Sequence, residues 1–357
     1  MVLTFLAFSA KINVIVKFST MDKYIPRKLE KEINKYIDGP EIIAVVGPRQ
    51  CGKTTMLRHI AERLDNSIFL SFEDHEVLEL FETNIKQFAK LYVDKYKYVF
   101  IDEFQYSKMG GKQLKFLYDL HHTKIFISGS SAIDLTINAV KYLVGRVLIM
   151  SLYPLDFIEF VGYKDKKYQK YIVNSQSHFF SSKNIKINEE WHKKLLLLYE
   201  EYIIFGGYPR IVLENDNQTK IKKLKDIYNT YFLRDVKDFL GLTSNYKLSK
   251  LIKLLALQIG KTVDYNQLAS QTGFSHASVK KYMNFLEQTF ICNLVTPYYT
   301  NKISEIVKNP RVYFLDTGLR NHIAGDFNTI GERIDSGFFL ENAVCQQLVK
   351  RGIAPQY

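Results

Sequence analysis

The segment that most constrains this chain is GPRQCGKT, residues 47–54, placed directly after an apolar run at 42–46 and before a helical pattern. It fits the spacing G-x-x-x-x-G-K-[ST], whose glycines let the backbone curl until successive N–H groups face one phosphate chain. The helix that follows adds its positive N-terminal end. Gly47, Pro48, Arg49, Gln50, Cys51, Gly52, Lys53, Thr54 and Thr55 are therefore expected to bind a nucleoside triphosphate, ATP. Lys53 would reach the β- and γ-phosphates, and the Thr54 hydroxyl would ligate Mg²⁺.

A second element, YVFIDEFQ at 98–105, is an apolar strand ending in two carboxylates. Beside a phosphate loop it supplies what the loop lacks. Asp102 would hold the Mg²⁺ shell, and Glu103 would orient and deprotonate an attacking water. A base for water favours hydrolysis over phosphoryl transfer to a small molecule, in which water must be excluded. A third apolar strand ends in SGSS at 128–131. There Ser128 or Ser130 could touch the γ-phosphate or the water. Arg146 follows Gly145 near the end of this region, and is expected either to neutralise charge on the transferring phosphoryl group, within one chain or across a subunit interface, or to serve as a structural ion-pair partner.

Between residues 41 and 150 short β-rich runs at 42–46, 68–71, 98–101, 125–128 and 147–150 alternate with helical patterns at 54–64, 85–93 and 112–120. Near-continuous apolar strands separated by helices imply a mostly parallel sheet covered on both faces, an α/β architecture. From about 154 to 246 the pattern changes to Lys- and Tyr-rich helices at 191–205 and 221–239, with a polar stretch at 174–188 between them, read as a helical connector or lid. Three short helical patterns followed by two β-rich runs at 246–316 have the composition of a winged helix. Within them 266–271, a turn at 272–274 and 275–289 form a helix-turn-helix pattern. Ser275 is its cap, and Val279, Met283 and Leu286 its inward stripe. Its outward face carries His276, Ser278, Lys280, Lys281 and Asn284, suited to DNA phosphates or to a protein partner.

The formal charge of +12 and pI near 9.2 favour a polyanionic partner, although the charge is spread along the chain. Cys51, Cys292 and Cys345 show neither metal-ligand spacing nor a disulfide framework, which suits a reducing compartment and makes the cytoplasm the expectation. An apolar run at 2–10 is too short to span a bilayer, and no other stretch suggests a membrane span. Met21 precedes a charged helix at 27–36 and is a candidate start, with residues 1–22 an extension.

The order of these motifs, GPRQCGKTT, YVFIDEFQY, KIFISGSSA, YLVGRV and SLYPLDFIEF, then FGGYPR at 205–210, YFLRDV at 231–236 and YFLDTGL at 313–319, resembles the archaeal and bacterial AAA-type P-loop ATPases with a C-terminal domain of unknown function. The resemblance implies a fold of the additional-strand catalytic-Glu type, with the strand ending at Ser128 between the phosphate-loop strand and the Asp102–Glu103 strand. It gives Lys53, Thr54, Asp102 and Glu103 the roles above and places Ser128 or Ser130 at the sensor position. The implied organisation is a P-loop ATPase domain at 23–153, the connector at 154–245, a winged helix at 246–318 and a nuclease-like remnant at 319–357. In that remnant Glu341 would be the first acidic position, and without the acidic strand and lysine that such a site needs no DNA cleavage is expected. The expected function is Mg-ATP hydrolysis coupled to a DNA- or protein-binding winged helix, in a chain that could assemble as a homo-oligomer. The alternative is a nucleotide-dependent DNA-binding regulator with negligible turnover.

Overall fold

The protein is described by a computed structural model over residues 24–130, 142–179, 188–233 and 245–357. The N-terminal extension, Ser131 and Arg234 of the YFLRDV segment lie outside the described residues. The first half is built on strands β1 (Ile42–Val46), β2 (Ser67–Ser71), β3 (Tyr98–Asp102), β4 (Lys124–Gly129) and β5 (Val147–Ser151). All pair in parallel, in the order β2-β3-β4-β1-β5. The strand ending at Ser128 thus lies between the phosphate-loop strand and the Asp102–Glu103 strand, as the resemblance implied.

Side chains alternate across the sheet, so each central strand feeds two cores. In β1, Ile42, Ala44 and Val46 face Phe72, Phe81, Phe88, Leu114 and Leu117, whereas Ile43 and Val45 face Ile33, Met56, Leu57 and Ile60. Each such aliphatic side chain, wholly withdrawn from water, contributes roughly 1.5–3 kcal/mol. The edge strands β2 and β5 are only partly buried.

Two local features differ from the sequence reading. A helix at His75–Thr83 was not anticipated, although Asp74 caps it by accepting from the Glu76 and Val77 amides and Phe81 anchors it. The 85–93 pattern is a short α-helix, Ile85–Phe88, that widens into a π-turn at Ala89–Val93.

Beyond β5 the chain is mainly helical: Phe157–Lys164, Lys166–Phe179, Glu189–Phe205, Asn217–Ile227, Asn245–Leu257, Tyr265–Thr272 and His276–Gln288 lead into an antiparallel hairpin, β6 (Cys292–Val295) and β7 (Arg311–Phe314), followed by Thr317–Ala324 and Ser336–Lys350. The polar stretch expected from 174 begins inside the Lys166–Phe179 helix, whose opening turns KKYQKY pack Tyr168 and Tyr171 on Trp191. One apolar core runs through all of this half, from Leu155 and Tyr202 through Leu224, Leu251 and Met283 to Phe314 and Phe339. Among the described residues no helix is long and apolar enough to cross a membrane.

Candidate nucleotide site

The phosphate loop leaves β1 at Gly47, where a Cβ would lie 2.0 Å from the Leu152 carbonyl oxygen, so the close approach of two backbone segments excludes any side chain. Gly52, at φ 98°, makes the left-handed bend that starts the helix Lys53–Ala61. Lys53 is 5% exposed and folds back to donate to the Gly47 and Pro48 carbonyls, both at 2.9 Å. A buried ammonium held by neutral acceptors can exchange them for a phosphate at little conformational cost.

Thr54, in the first turn of that helix, donates from Oγ1 to Asp102 Oδ2 at 2.7 Å. On the other side of the same carboxylate, Ser128 at the end of β4 donates to Asp102 Oδ1. Asp102 and Ser128 are buried, so three elements meet in one hydrogen-bonded row, Thr54–Asp102–Ser128. The Thr hydroxyl and Asp carboxylate are hard oxygen donors of the kind Mg²⁺ takes. Among the described residues no group of three or more His, Cys, Asp or Glu side chains could hold a metal ion. A Mg²⁺ at Thr54 and Asp102 would therefore draw most of its ligands from substrate and water.

Glu103 follows in a left-handed conformation, φ 53°, uncommon for a residue with a side chain, as the chain turns from β3 into the short 3₁₀ turn Phe104–Tyr106. Burial and the adjacent Asp102 carboxylate push its carboxyl above the ordinary range, against the lowering effect of a hydrogen bond from Gln105 and the charges of Lys53 and Arg49. Gln105 Nε2 donates both to Glu103 and, at 3.2 Å, to Ser130 Oγ. Sequence reasoning missed Gln105, yet a polar residue two places after the carboxylate was its available signal. Cys51 contributes packing: buried and free, its thiol lies 3.2 Å from the Leu152 carbonyl.

Arg146 stands elsewhere. Its carbonyl accepts from the Ile42 amide at 2.8 Å, at the start of β1, whereas the phosphate loop leaves the strand's other end. Five residues of strand separate them by ~16 Å. Its guanidinium pairs with Asp119 at 3.1 Å over the Tyr118 ring. The expectation that Arg146 acts on a phosphate of its own chain is corrected by this placement: the side chain is an ion-pair partner at the opposite sheet edge.

Residues 39–161 match the family model of the AAA domain, and residues 196–329 match that of a domain of unknown function (DUF8612). This chain carries an AAA-type P-loop domain. Two relatives span nearly its whole length. An uncharacterized protein of Haemophilus influenzae is 25% identical over 340 residues, covering 90% of this chain and 78% of its own. An uncharacterized protein of Methanocaldococcus jannaschii is 26% identical over 340 residues, covering 91% and 71%. Among solved structures, the replication initiator DnaA bound to AMPPCP and single-stranded DNA matches with 14% identity and a TM-score of 0.33, covering 74% of this chain and 90% of that one. The ADP form of the ORC2 protein of Aeropyrum pernix matches with 11% identity and a TM-score of 0.38, covering 76% and 89%. The AAA-type assignment stands on the family match and the strand order.

Proposed function

We propose that this AAA-type protein is a Mg²⁺-dependent ATPase whose nucleotide state is read by a partner-binding unit at residues 245–314. The observation that carries the reading is the row Thr54–Asp102–Ser128, with Lys53 folded into the phosphate loop beside Thr54 and Glu103 following Asp102 in the chain. Lys53 draws the phosphates into the loop, Thr54 and Asp102 would hold Mg²⁺, and Ser128 fixes the Asp102 carboxylate. When bound, the ion would neutralise negative charge on the nucleotide phosphates. Glu103 takes a proton from the attacking water, and its raised proton affinity makes it a better base than an ordinary glutamate. Gln105 aims that carboxylate and links it to Ser130, so that a group near the γ-phosphate is tied to the base.

The unit at 245–314 has three helices and then the β6–β7 hairpin, whose connection carries a fourth, short helix, Lys302–Val307, with an isolated bridge between Thr262 and Arg311 adding a third short strand position. This supports the winged-helix reading. On the helix His276–Gln288, Val279, Met283 and Leu286 are buried, while His276, Lys280, Lys281 and Asn284 are exposed on the opposite face. A convex helix carrying two adjacent lysines favours DNA backbone contacts. The deciding experiment is steady-state phosphate release from Mg-ATP with and without duplex DNA. Turnover above a Glu103→Gln control supports the ATPase reading; tight nucleotide binding with no turnover in either condition replaces it with a nucleotide-dependent regulator.

A further inference from the structure

Sequence reading assigned no role to Arg27, which precedes the first helix, Lys28–Lys35. In the structure it is 6% exposed and reaches three separate parts of the molecule. Its guanidinium donates to the Cys51 carbonyl of the phosphate loop at 2.8 Å and to the Tyr153 carbonyl just beyond β5 at 2.6 Å. It also donates to both carboxylate oxygens of Glu159, at 3.3 and 3.4 Å, on the helix Phe157–Lys164. Its own backbone is fixed: the Arg27 amide donates to Glu30 at 2.9 Å, and Glu30 pairs at 3.3 Å with Arg63, in the turn that follows the helix Lys53–Ala61.

We propose that Arg27 is a positioning residue that couples the phosphate loop to the helical half of the chain, an inference that rests on the nucleotide-site reading above. The first half of the argument is peptide geometry. A trans peptide is planar with its C=O and N–H on opposite sides, and no cis peptide occurs among the described residues. Holding the Cys51 carbonyl against Arg27 therefore turns the Gly52 N–H away from Arg27, to the side a phosphate would occupy. A phosphate that pulls on the loop pulls on Arg27 through the same peptide.

The second half is what Arg27 is attached to. Glu159 belongs to the capping box of its helix: it accepts from the Asp156 amide at 3.0 Å while Asp156 accepts from the Glu159 amide at 2.8 Å. It also accepts from the Lys28 amide at 2.7 Å. A shift of the guanidinium therefore displaces a helix end and not a lone side chain. That helix packs Phe157 on Tyr199 and Tyr202, with ring centres 5.0 and 5.6 Å apart, and so leans on Glu189–Phe205. The same Glu189–Phe205 helix bears Trp191, the chain's single tryptophan, enclosed by Tyr168 and Tyr171 at 5.3 and 5.0 Å.

Trp191 makes the coupling measurable. Nucleotide binding is followed by equilibrium dialysis with labelled ATP in Mg²⁺, and Trp191 emission is recorded on the same full-length samples, for wild type, Arg27→Lys and Glu159→Gln. The lysine keeps the charge but cannot span three acceptors, and Glu159→Gln keeps the shape while removing the ion pair. The expected result is a nucleotide-dependent change in wild-type emission that falls at least about threefold in each variant at saturating ATP, with both variants folded by circular dichroism and still binding nucleotide. Wild-type emission unmoved by saturating ATP would overturn the proposal, as would an undiminished change in both variants. Failure of the wild type to bind ATP at all would instead remove the nucleotide-site reading beneath it. Should Arg27→Lys fail to fold, Glu159→Gln alone decides.

Discussion

The two halves of this chain use buried polar side chains for opposite ends. In the sheet half they converge: Lys53, Thr54, Asp102, Ser128 and Glu103 come from different elements yet meet at the carboxyl ends of the strands, where parallel α/β sheets bind their ligands. In the helical half several of them instead tie two backbone segments. Asn342 accepts from the Phe314 amide at 2.7 Å and donates to its carbonyl at 2.9 Å, acting as a strand neighbour for β7. Asn321 donates to the Ile204 carbonyl at 2.9 Å at the end of the helix Glu189–Phe205, and Asp316 accepts from the Gly207 and Leu319 amides at 2.7 and 3.0 Å. Burial alone does not mark a functional group; in the sheet half, side chains from two further elements meet on the single carboxylate of Asp102 beside the phosphate loop.

That contrast predicts different losses on mutation, beginning with Glu103. Glu103→Gln should bind ATP as wild type does but turn over roughly 10²–10⁴-fold more slowly, because it removes only proton transfer. Since the carboxylate must be deprotonated and burial raises its pKa, wild-type activity should climb with pH through a midpoint above that of an ordinary glutamate. A pH–rate profile lacking this acid limb, or a Gln variant at the wild-type rate, removes Glu103 as the base. Lys53→Ala should act one step earlier. Losing a charge-assisted contact of ~3 kcal/mol weakens ATP binding roughly 100-fold, as titration calorimetry would register. Unchanged affinity would mean that phosphates do not enter the loop.

In the helical half the expected loss is stability without chemistry. Asn342→Leu is close in volume but strands two buried backbone groups of Phe314, at a cost of roughly 2–3 kcal/mol. Its denaturation midpoint should fall while kcat per folded molecule holds. A loss of kcat with the midpoint intact would place this residue in the catalytic path and erase the distinction between the halves.

The same contrast explains what the sequence made legible. Strands β1, β3 and β4 are buried on both faces, so their apolar runs are unbroken, and the motifs at their ends are local in sequence. Reading them needed no knowledge of tertiary contacts. Arg27, by comparison, meets Cys51, Tyr153 and Glu159 at separations up to 132 residues, and nothing in PRKLE announces that. Arg146 carries both a phosphate-contact and an ion-pair reading in the sequence for a related reason. A glycine-arginine pair before an apolar run says nothing about which end of the strand faces the ligand; only the parallel register of β5 on β1 does. The helix at 75–83 has as its sequence signal only an Asp cap followed by periodic Val77, Leu78 and Phe81, a short pattern between two β-rich runs.

A smaller effect is expected at the exposed face of His276–Gln288. If it meets DNA through phosphates, log affinity should fall linearly with log salt, and replacing Lys280 and Lys281 together should reduce that slope by about 2. Fluorescence anisotropy across a salt series reads this directly. An unaltered slope moves the contact elsewhere or gives the unit a protein partner.

The smallest effect is predicted for Arg146. Its pair with Asp119 is about one-third exposed, at 34% and 40% for the two side chains, and water screens an interaction of that kind to under about 1 kcal/mol. Its position at the start of β5 leaves the length of the strand between it and the loop of its own chain. Arg146→Ala should therefore melt within a few degrees of wild type and hydrolyse ATP within about twofold of it. A large loss of turnover in a stably folded Arg146→Ala protein would break this assignment and leave one route open, action on the nucleotide of a neighbouring subunit. Mixing Arg146→Ala with Lys53→Ala then decides, because each would supply the half-site that the other lacks. Recovered activity in the mixture would make the far edge of the sheet an assembly surface; none, with turnover still lost, would trace the defect to the sheet edge itself.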